Sequence, residues 1–197
     1  MNKNILAVIG VVVVAAVGYV GYRYASLQSE AAKWSGPMKE VQEEQITRDG
    51  DVTRSRFVSI IDAPIAKVQD VVWHVEDLSK IVPNFKISKL IEENGNTKKV
   101  EIGIQALTLP LLSYEMEFTN HPEEHRVTFK TLKSQAQDID GEYKLEPSPD
   151  GTKTRMTYIT TAKDKIAVPF PQSVLDSAGR ETFVNTVRGV EKAVKQG

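Results

Sequence analysis

The C-terminal part of the chain, from Pro169 to Lys195, has the hydrophobic pattern of a long amphipathic helix. Apolar residues recur at steps of three to five positions with polar residues between them, namely Val174, Ala178, Phe183, Val187, Val190 and Val194. Pro171 suits the first turn, where a missing N–H group costs nothing. A helix of about 24 residues is roughly 36 Å long. Its apolar stripe therefore needs a large surface to pack against.

The residues before this helix alternate between apolar and polar, as in β-strands with one dry face. Strands are predicted at 52–61, 85–92, 98–107, 112–120, 125–132, 137–146 and 153–162. Their apolar positions share one side of each strand: Val100, Ile102, Ile104, Ala106, Leu112, Tyr114, Met116, Phe118, Val127, Phe129, Ile139, Tyr143, Leu145, Met156 and Tyr158. This pattern predicts an antiparallel meander whose apolar face packs on the long helix.

Two helices are predicted between the first and second strands. Asp62-Ala63-Pro64 opens the first, whose apolar face is made by Ile65, Val68, Val71, Val72 and Val75. A second short helix follows and ends at Pro83. The predicted fold class is therefore α+β, with the order strand, two helices, six strands and one long helix. We expect apolar space between the curved sheet and that helix.

The N-terminal segment has the composition of a membrane-spanning helix. Asn4 to Tyr22 contains no charged residue, and about 20 apolar residues are enough to cross a bilayer core. A transmembrane anchor is predicted over residues 4–24, with a cleaved signal peptide and a buried soluble helix as the alternatives. The short tail before it favours a folded domain outside the cytoplasm, which in a bacterium is the periplasm.

Residues 25–50 are interpreted as a polar stalk or linker between this anchor and a folded domain over residues 51–197. Ser35-Gly36-Pro37 is a helix-breaking sequence, Met38 to Gln45 is compatible with a further polar helix, and Arg48 to Asp51 is predicted to be a turn.

Composition narrows the classes of function. The net charge of −1 gives no reason to expect nucleic-acid binding. The absence of cysteine excludes disulfides, Cys-ligated zinc, iron–sulfur clusters and thiol nucleophiles. No histidine is spaced for a metal site, so neither a metal nor a cofactor is expected. The sequence does not determine the oligomeric state.

Several segments resemble the START-like, or SRPBCC, helix-grip superfamily. Ile60 to Val68 resembles its apolar strand followed by an Ala-Pro helix start, Asp77 to Phe85 resembles its helix-to-strand segment, and Pro122 to Phe129 resembles its turn into a central strand. The superfamily includes polyketide cyclase/dehydrase, lipid-transport, coenzyme-Q-binding and pollen-allergen-like proteins. The resemblance implies a helix-grip fold over about residues 52–195. It also implies a deep apolar cavity that takes a lipid, sterol, quinone or polyketide-like molecule.

The candidate cavity lining combines the dry strand positions with the stripe of the long helix. It comprises Ile104, Leu112, Tyr114, Met116, Phe118, Phe129, Tyr143, Met156, Tyr158, Phe170, Val174, Ala178, Phe183 and Val187. The tyrosine hydroxyls are candidates for orienting a polar ligand head, with plain core packing as the alternative. Arg180 is interpreted as a surface ion-pair residue or a cation at the cavity mouth. Pro169-Phe170-Pro171 is a candidate gate.

Three hypotheses for function follow. The first is a membrane-anchored domain that binds or transports a hydrophobic small molecule or lipid. The second is a cyclase, aromatase or dehydratase acting on a polyketide-like substrate, in which only the tyrosines and His74 offer acid–base groups. The third is a non-catalytic module with a filled cavity that acts through protein partners. No catalytic constellation is recognisable, so binding without catalysis is favoured.

Overall fold

The computed structural model describes residues 22, 34, 40–166 and 169–196. The chain divides into two compact units, Met1–Pro37 and Met38–Gly197, and the second contains the sheet. Its strands are β1 (Glu43–Asp49), β2 (Val52–Ile61), β3 (Phe85–Asn94), β4 (Thr97–Ile104), β5 (Leu112–His121), β6 (Arg126–Lys133), β7 (Gln137–Pro147) and β8 (Thr154–Asp164). Its helices are α1 (Ile65–Trp73), α2 (Leu78–Ile81) and α3 (Gln172–Gln196), with short 3₁₀ turns at Val75–Asp77 and Pro122–Glu124.

The strands form a single antiparallel sheet in the order β1-β2-β8-β7-β6-β5-β4-β3. Strands β3 to β8 are a meander, and β2 closes it by pairing with β8 from Val52↔Lys163 to Ile61↔Thr154. The predicted α+β class and antiparallel meander are confirmed. The predicted dry face is also confirmed, because Tyr114, Met116 and Phe118 are buried and Leu112 is half-buried.

Strand β1 corrects the interpretation of residues 25–50 as stalk alone. Glu43 to Gln45 are strand rather than helix, and β1 pairs with β2 along its full length, from Glu43↔Val58 to Asp49↔Val52. Gly50 adopts a positive φ of 60° in the connecting turn. The polar sequence of β1 hid this strand, because an edge strand exposes most of its side chains and loses the apolar alternation on which the prediction depends.

Ion pairs join β1 and Glu40, three residues before it, to α3. Arg48 bonds Asp176, Arg180 lies 3.0 Å from Glu44, and Arg188 bonds Glu40. The partners run in opposite directions along the two segments, so the edge strand follows the helix. Arg180 is therefore part of a seam of ion pairs between α3 and residues 40–48.

Helix α3 packs its apolar stripe on the concave face of the sheet, as predicted. The Phe183 ring stacks on Phe57 at a centroid distance of 5.3 Å and on Tyr158 at 6.0 Å. Farther along the helix, Val187, Val190 and Val194 are buried in the main core. Residues spaced three and four apart thus share one helix face, and this face is turned toward the sheet.

Helices α1 and α2 close the end of the sheet that is farther from the N-terminal half of α3. Lys98 of β4 is almost completely buried there, and its Nζ donates to both carboxylate oxygens of Glu76 at 2.8 and 2.9 Å. The same ammonium group lies 4.6 Å from the centre of the Trp73 ring. Because this buried charge is paired, α1 and the following turn are fixed over β4.

Gly189 allows α3 to approach α2 closely. A Cβ atom at this position would lie 2.5 Å from the carbonyl oxygen of Ile81, closer than any real contact. Gly179 is different, because a Cβ atom there would have no heavy atom within 4 Å. The two glycines of one helix thus have different reasons to be present.

The predicted anchor over residues 4–24 lies outside the described residues except for Tyr22, and it stays a prediction. Within the described part of the chain, no helix combines the length and the apolar character needed to cross a membrane.

We expect Gly189→Ala to destabilise the protein by about 1–3 kcal/mol, because the added methyl group forces α3 away from α2. Gly179→Ala is the matched control in the same helix, and it should stabilise the protein by up to about 1 kcal/mol. Urea unfolding followed by circular dichroism measures both values. Equal effects of the two substitutions would contradict the close-approach explanation.

Candidate ligand cavity

A cavity of about 320 Å³ lies between the N-terminal half of α3 and the sheet. All strands except β6 contribute residues to its sheet wall, and Leu175, Ala178, Gly179, Thr182, Phe183 and Thr186 form its helix wall. This volume is at the lower end of the range found for small-molecule sites. The cavity occupies one end of the concave face, and the packed core occupies the other.

A cluster of aromatic rings separates the cavity from the packed core. Neighbouring ring centroids in this cluster lie 4.9 to 6.5 Å apart, and its members are Phe57, Phe118, Phe129, Tyr143, Tyr158 and Phe183. Gly141 makes room for it, because a Cβ atom there would lie 2.6 Å from the Phe129 ring. The rings form a rigid floor, since aromatic side chains have few rotatable bonds.

Eight of the fourteen predicted lining residues do line this cavity: Ile104, Leu112, Tyr114, Tyr143, Tyr158, Phe170, Ala178 and Phe183. The other six, Met116, Phe118, Phe129, Met156, Val174 and Val187, lie outside the lining. Five of these six are buried: Phe118 and Phe129 belong to the aromatic floor itself, and Met116, Met156 and Val187 belong to the packed core. At the start of α3, Leu175 lines the cavity in place of Val174.

The cavity has a polar side that sequence reasoning missed. Thr53 and Ser55 on β2, Thr160 and Asp164 on β8, and Gln137 on β7 all contribute to the lining. They occupy inward-facing positions on strands of the predicted sheet, beside the apolar inward-facing residues. The two-residue repeat could have identified them, because Ser55 lies on the same side of β2 as Phe57, and Thr160 lies on the same side of β8 as Tyr158.

Hydroxyl-bearing residues on neighbouring strands form a strip on this polar side. Ser55 is opposite Thr160 in the β2–β8 register, and Tyr143 is opposite Tyr158 in the β7–β8 register. Within residues 40–166 and 169–196, none of these four hydroxyls has a hydrogen-bond partner, and the same holds for Tyr114. None of the five is a fully enclosed polar atom, so they face the open space of the cavity and offer donors and acceptors to a bound molecule.

Burial raises the pKa values of Tyr114, Tyr143 and Tyr158 above the usual range for a phenol. Removal from water disfavours the phenolate, and for Tyr114 and Tyr143 the neighbouring Tyr158 adds to the effect. All three phenols are therefore uncharged hydrogen-bonding groups at neutral pH.

Arg48 and Asp164 are the charged members of the lining among the described residues. Arg48 Nη1 donates to Thr53 Oγ1 at 2.5 Å, and its other terminal nitrogen bonds Asp176 at the start of α3. Burial raises the pKa of the Asp164 carboxyl, Arg48 opposes this shift, and the negative charge of Asp51 adds to it. The Arg48 guanidinium is thus paired with the Asp176 carboxylate and lies near the Asp164 carboxyl.

The mouth of the cavity is bordered by exposed apolar residues. Leu109 and Pro110 line the cavity from the loop 105–111, and Leu107 and Leu111 of the same loop are 49% and 44% exposed. Ile166, after β8, lines the cavity and is 57% exposed. Leu107 has a positive φ of 51°, a strained conformation for a leucine. Strand β4 ends at Ile104 rather than at the predicted residue 107.

Two other candidates from the sequence lie away from the cavity. His74 is exposed at the end of α1, where its Nδ1 lies 2.8 Å from the Asp70 carbonyl oxygen. Arg180 lies outside the lining and pairs with Glu44. In the described residues, no group of histidine and carboxylate side chains is arranged to hold a metal ion.

Residues 61–190 match the family described as polyketide cyclase / dehydrase and lipid transport. The match covers more than half of the chain. The chain belongs to this family. No curated protein is similar enough in sequence to be recognised as its relative.

Several solved structures share this fold. The Zhui aromatase/cyclase from Streptomyces sp. R1128 is 13% identical with a TM-score of 0.65, covering 74% of this chain and 94% of its own. A STAR-related lipid transfer protein from Xanthomonas axonopodis is 13% identical with a TM-score of 0.57, covering 78% and 99%. A major latex-like protein from Panax ginseng is 16% identical with a TM-score of 0.57, covering 73% and 97%. At these identities, the likeness concerns the fold alone.

The raised tyrosine pKa values predict a loss of stability in alkali. Above about pH 10, tyrosines ionise in the unfolded chain but not in the folded one. The unfolded state then binds fewer protons, so the free energy of unfolding falls as pH rises. Urea midpoints measured at pH 9 and pH 11 (about one unit on either side of the free phenol value) test this. The double variant Tyr143→Phe/Tyr158→Phe should show a smaller fall, and an unchanged fall would contradict the prediction.

Proposed function

We propose that this chain binds a hydrophobic small molecule or lipid in the cavity under α3, and that its N-terminal segment holds the domain at a membrane. The observation that carries the proposal is the cavity itself, with an aromatic floor, apolar walls and hydroxyls without partners. Transfer of apolar ligand surface into it contributes about 25 cal/mol per Å², and the polar side orients the ligand. The family description and the lipid-transfer relative from Xanthomonas agree with this proposal.

The apolar mouth supports ligand exchange with a membrane. Leu107, Leu111 and Ile166 are exposed in the loop 105–111 and just after β8, two segments that also contribute residues to the cavity lining. A ligand that passes through such a mouth stays in contact with apolar groups. The predicted anchor over residues 4–24 would hold the domain at a membrane, on the extracytoplasmic side.

We expect Gly179→Leu to weaken ligand binding at least tenfold, because the new side chain extends from a helix position that lines the cavity and is free of neighbours. Displacement of phenylnaphthylamine, an uncharged fluorescent probe, measures binding to the full-length chain. Ser177→Leu is the matched control, since Ser177 is an exposed residue of the same helix outside the lining. Equal weakening by both variants, or no binding to the unchanged protein, would refute the proposal.

A second candidate function is the cyclase or dehydratase reaction, and Asp164 is the observation that favours it. Its carboxyl lines the cavity with a raised pKa, next to the Arg48 charge, and is a better acid–base group than the neutral tyrosines or the exposed His74. The aromatase/cyclase relative from Streptomyces shares the fold.

Incubation of the full-length chain with a poly-β-ketone analogue, followed by mass spectrometry, tests for cyclisation or dehydration. If the domain is an enzyme, Asp164→Asn should lower turnover at least a hundredfold while leaving phenylnaphthylamine binding intact. Absence of turnover by the unchanged protein, despite binding of the analogue, would leave the binding function alone.

A further inference from the structure

We infer that the cavity selects uncharged amphiphiles that carry hydroxyl or carbonyl groups over amphiphiles with an anionic head. This inference rests on the proposed function and identifies the chemical class of its ligand. Three observations carry it. They are the hydroxyl strip, the pairing of Arg48 with Asp176, and the carboxyl groups near Arg48 at the same end of the cavity, which we call the Arg48 pole.

The polar groups available to a ligand are uncharged. Ser55, Thr160, Tyr114, Tyr143 and Tyr158 present hydroxyls without partners within the part of the chain that the structure describes. A hydroxyl donates one hydrogen bond and accepts others. Such groups pair well with ligand hydroxyls and carbonyls, whose transfer from water costs far less than that of a full charge.

Arg48 is the cation of the lining, and it is already compensated. Each of its terminal nitrogens donates a hydrogen bond, one to Thr53 and one to Asp176, and its field also acts on Asp164. A ligand carboxylate would have to share the guanidinium charge with Asp176, and it would enter a region that already contains Asp164. Repulsion between like charges disfavours that arrangement.

The two lysines that adjoin Asp164 in the sequence are both paired. Lys163 pairs at 4.0 Å with Asp51, which lies in the turn after β1 and is close enough to raise the pKa of Asp164. Lys165 lies 2.6 Å from Asp138 and also donates to the Ser134 carbonyl oxygen. An anionic head in the cavity would therefore lose its hydration without gaining an unpaired cation from these two lysines or from Arg48.

The comparison of oleyl alcohol with oleate tests the inference, since the two share one chain and differ in the head group. Each is titrated against phenylnaphthylamine bound to the full-length chain at about pH 9, where the carboxylate is ionised. We expect the alcohol to bind at least tenfold more tightly. Asp176→Asn, which uncovers Arg48, should strengthen oleate binding by about threefold or more and leave the alcohol unaffected.

Glu44→Gln is the matched control, because it removes one negative charge from the same seam but at a pair with Arg180 outside the lining. It should leave the ratio of the two affinities unchanged. Oleate binding as tightly as the alcohol, or equal shifts in Asp176→Asn and Glu44→Gln, would overturn the inference. Failure of both lipids to displace a bound probe would also overturn it while the proposed cavity binding stands. Failure of the probe itself to bind would remove both.

Discussion

The packing of Phe183 on Phe57 and Tyr158 is the contact on which the rest of the structure depends. It fixes the height of α3 above the sheet at the point where the concave face changes from solid core to open cavity. On the core side, valines of α3 lie close to the sheet and to α2, and Gly189 permits that approach. On the other side, Ala178, Gly179 and Thr182 are too small to fill the space. The cavity therefore results from small residues on one half of a helix whose other half is tightly packed.

The same division explains how the domain tolerates an internal cavity. The packed end contains most of the buried apolar residues and the closure by Lys98, Glu76 and Trp73. Hydrophobic stabilisation is roughly proportional to buried apolar area, so this end supplies most of it. Because the packed end supplies this stability, the cavity end can contain hydroxyls without partners and a strained, exposed Leu107. Such features cost stability and are typical of functional sites.

Electrostatics at the cavity rim depend on the edge strand. Arg48 reaches the lining only because β1 extends the sheet beyond β2, and Asp176 reaches Arg48 only because α3 begins over that edge. The Arg48–Asp176 pair therefore joins β1 to α3 and also holds a charged group in the cavity lining. Both functions considered for this cavity involve these charges, and turnover distinguishes between them.

The sequence by itself determined the fold class, the meander, the long helix and the apolar face of the sheet, because two-residue and three-to-four-residue periodicities depend on local geometry. It also identified the family through the residues around Pro64, Pro83 and Pro122. It did not indicate β1, whose polar side chains lack an apolar alternation, or the pole formed by Arg48 and Asp164, which are distant in sequence.

Only the tertiary structure decided which dry positions line a cavity and which are packed core. Met116 and Tyr114 have the same alternation on the same strand, yet only Tyr114 lines the cavity. The difference is set by what lies above each residue: α1, α2 and the valines of α3 over one end, and the small residues of α3 over the other. Periodicity reports that a side chain points inward, but it carries no information on whether the space in front of it is filled.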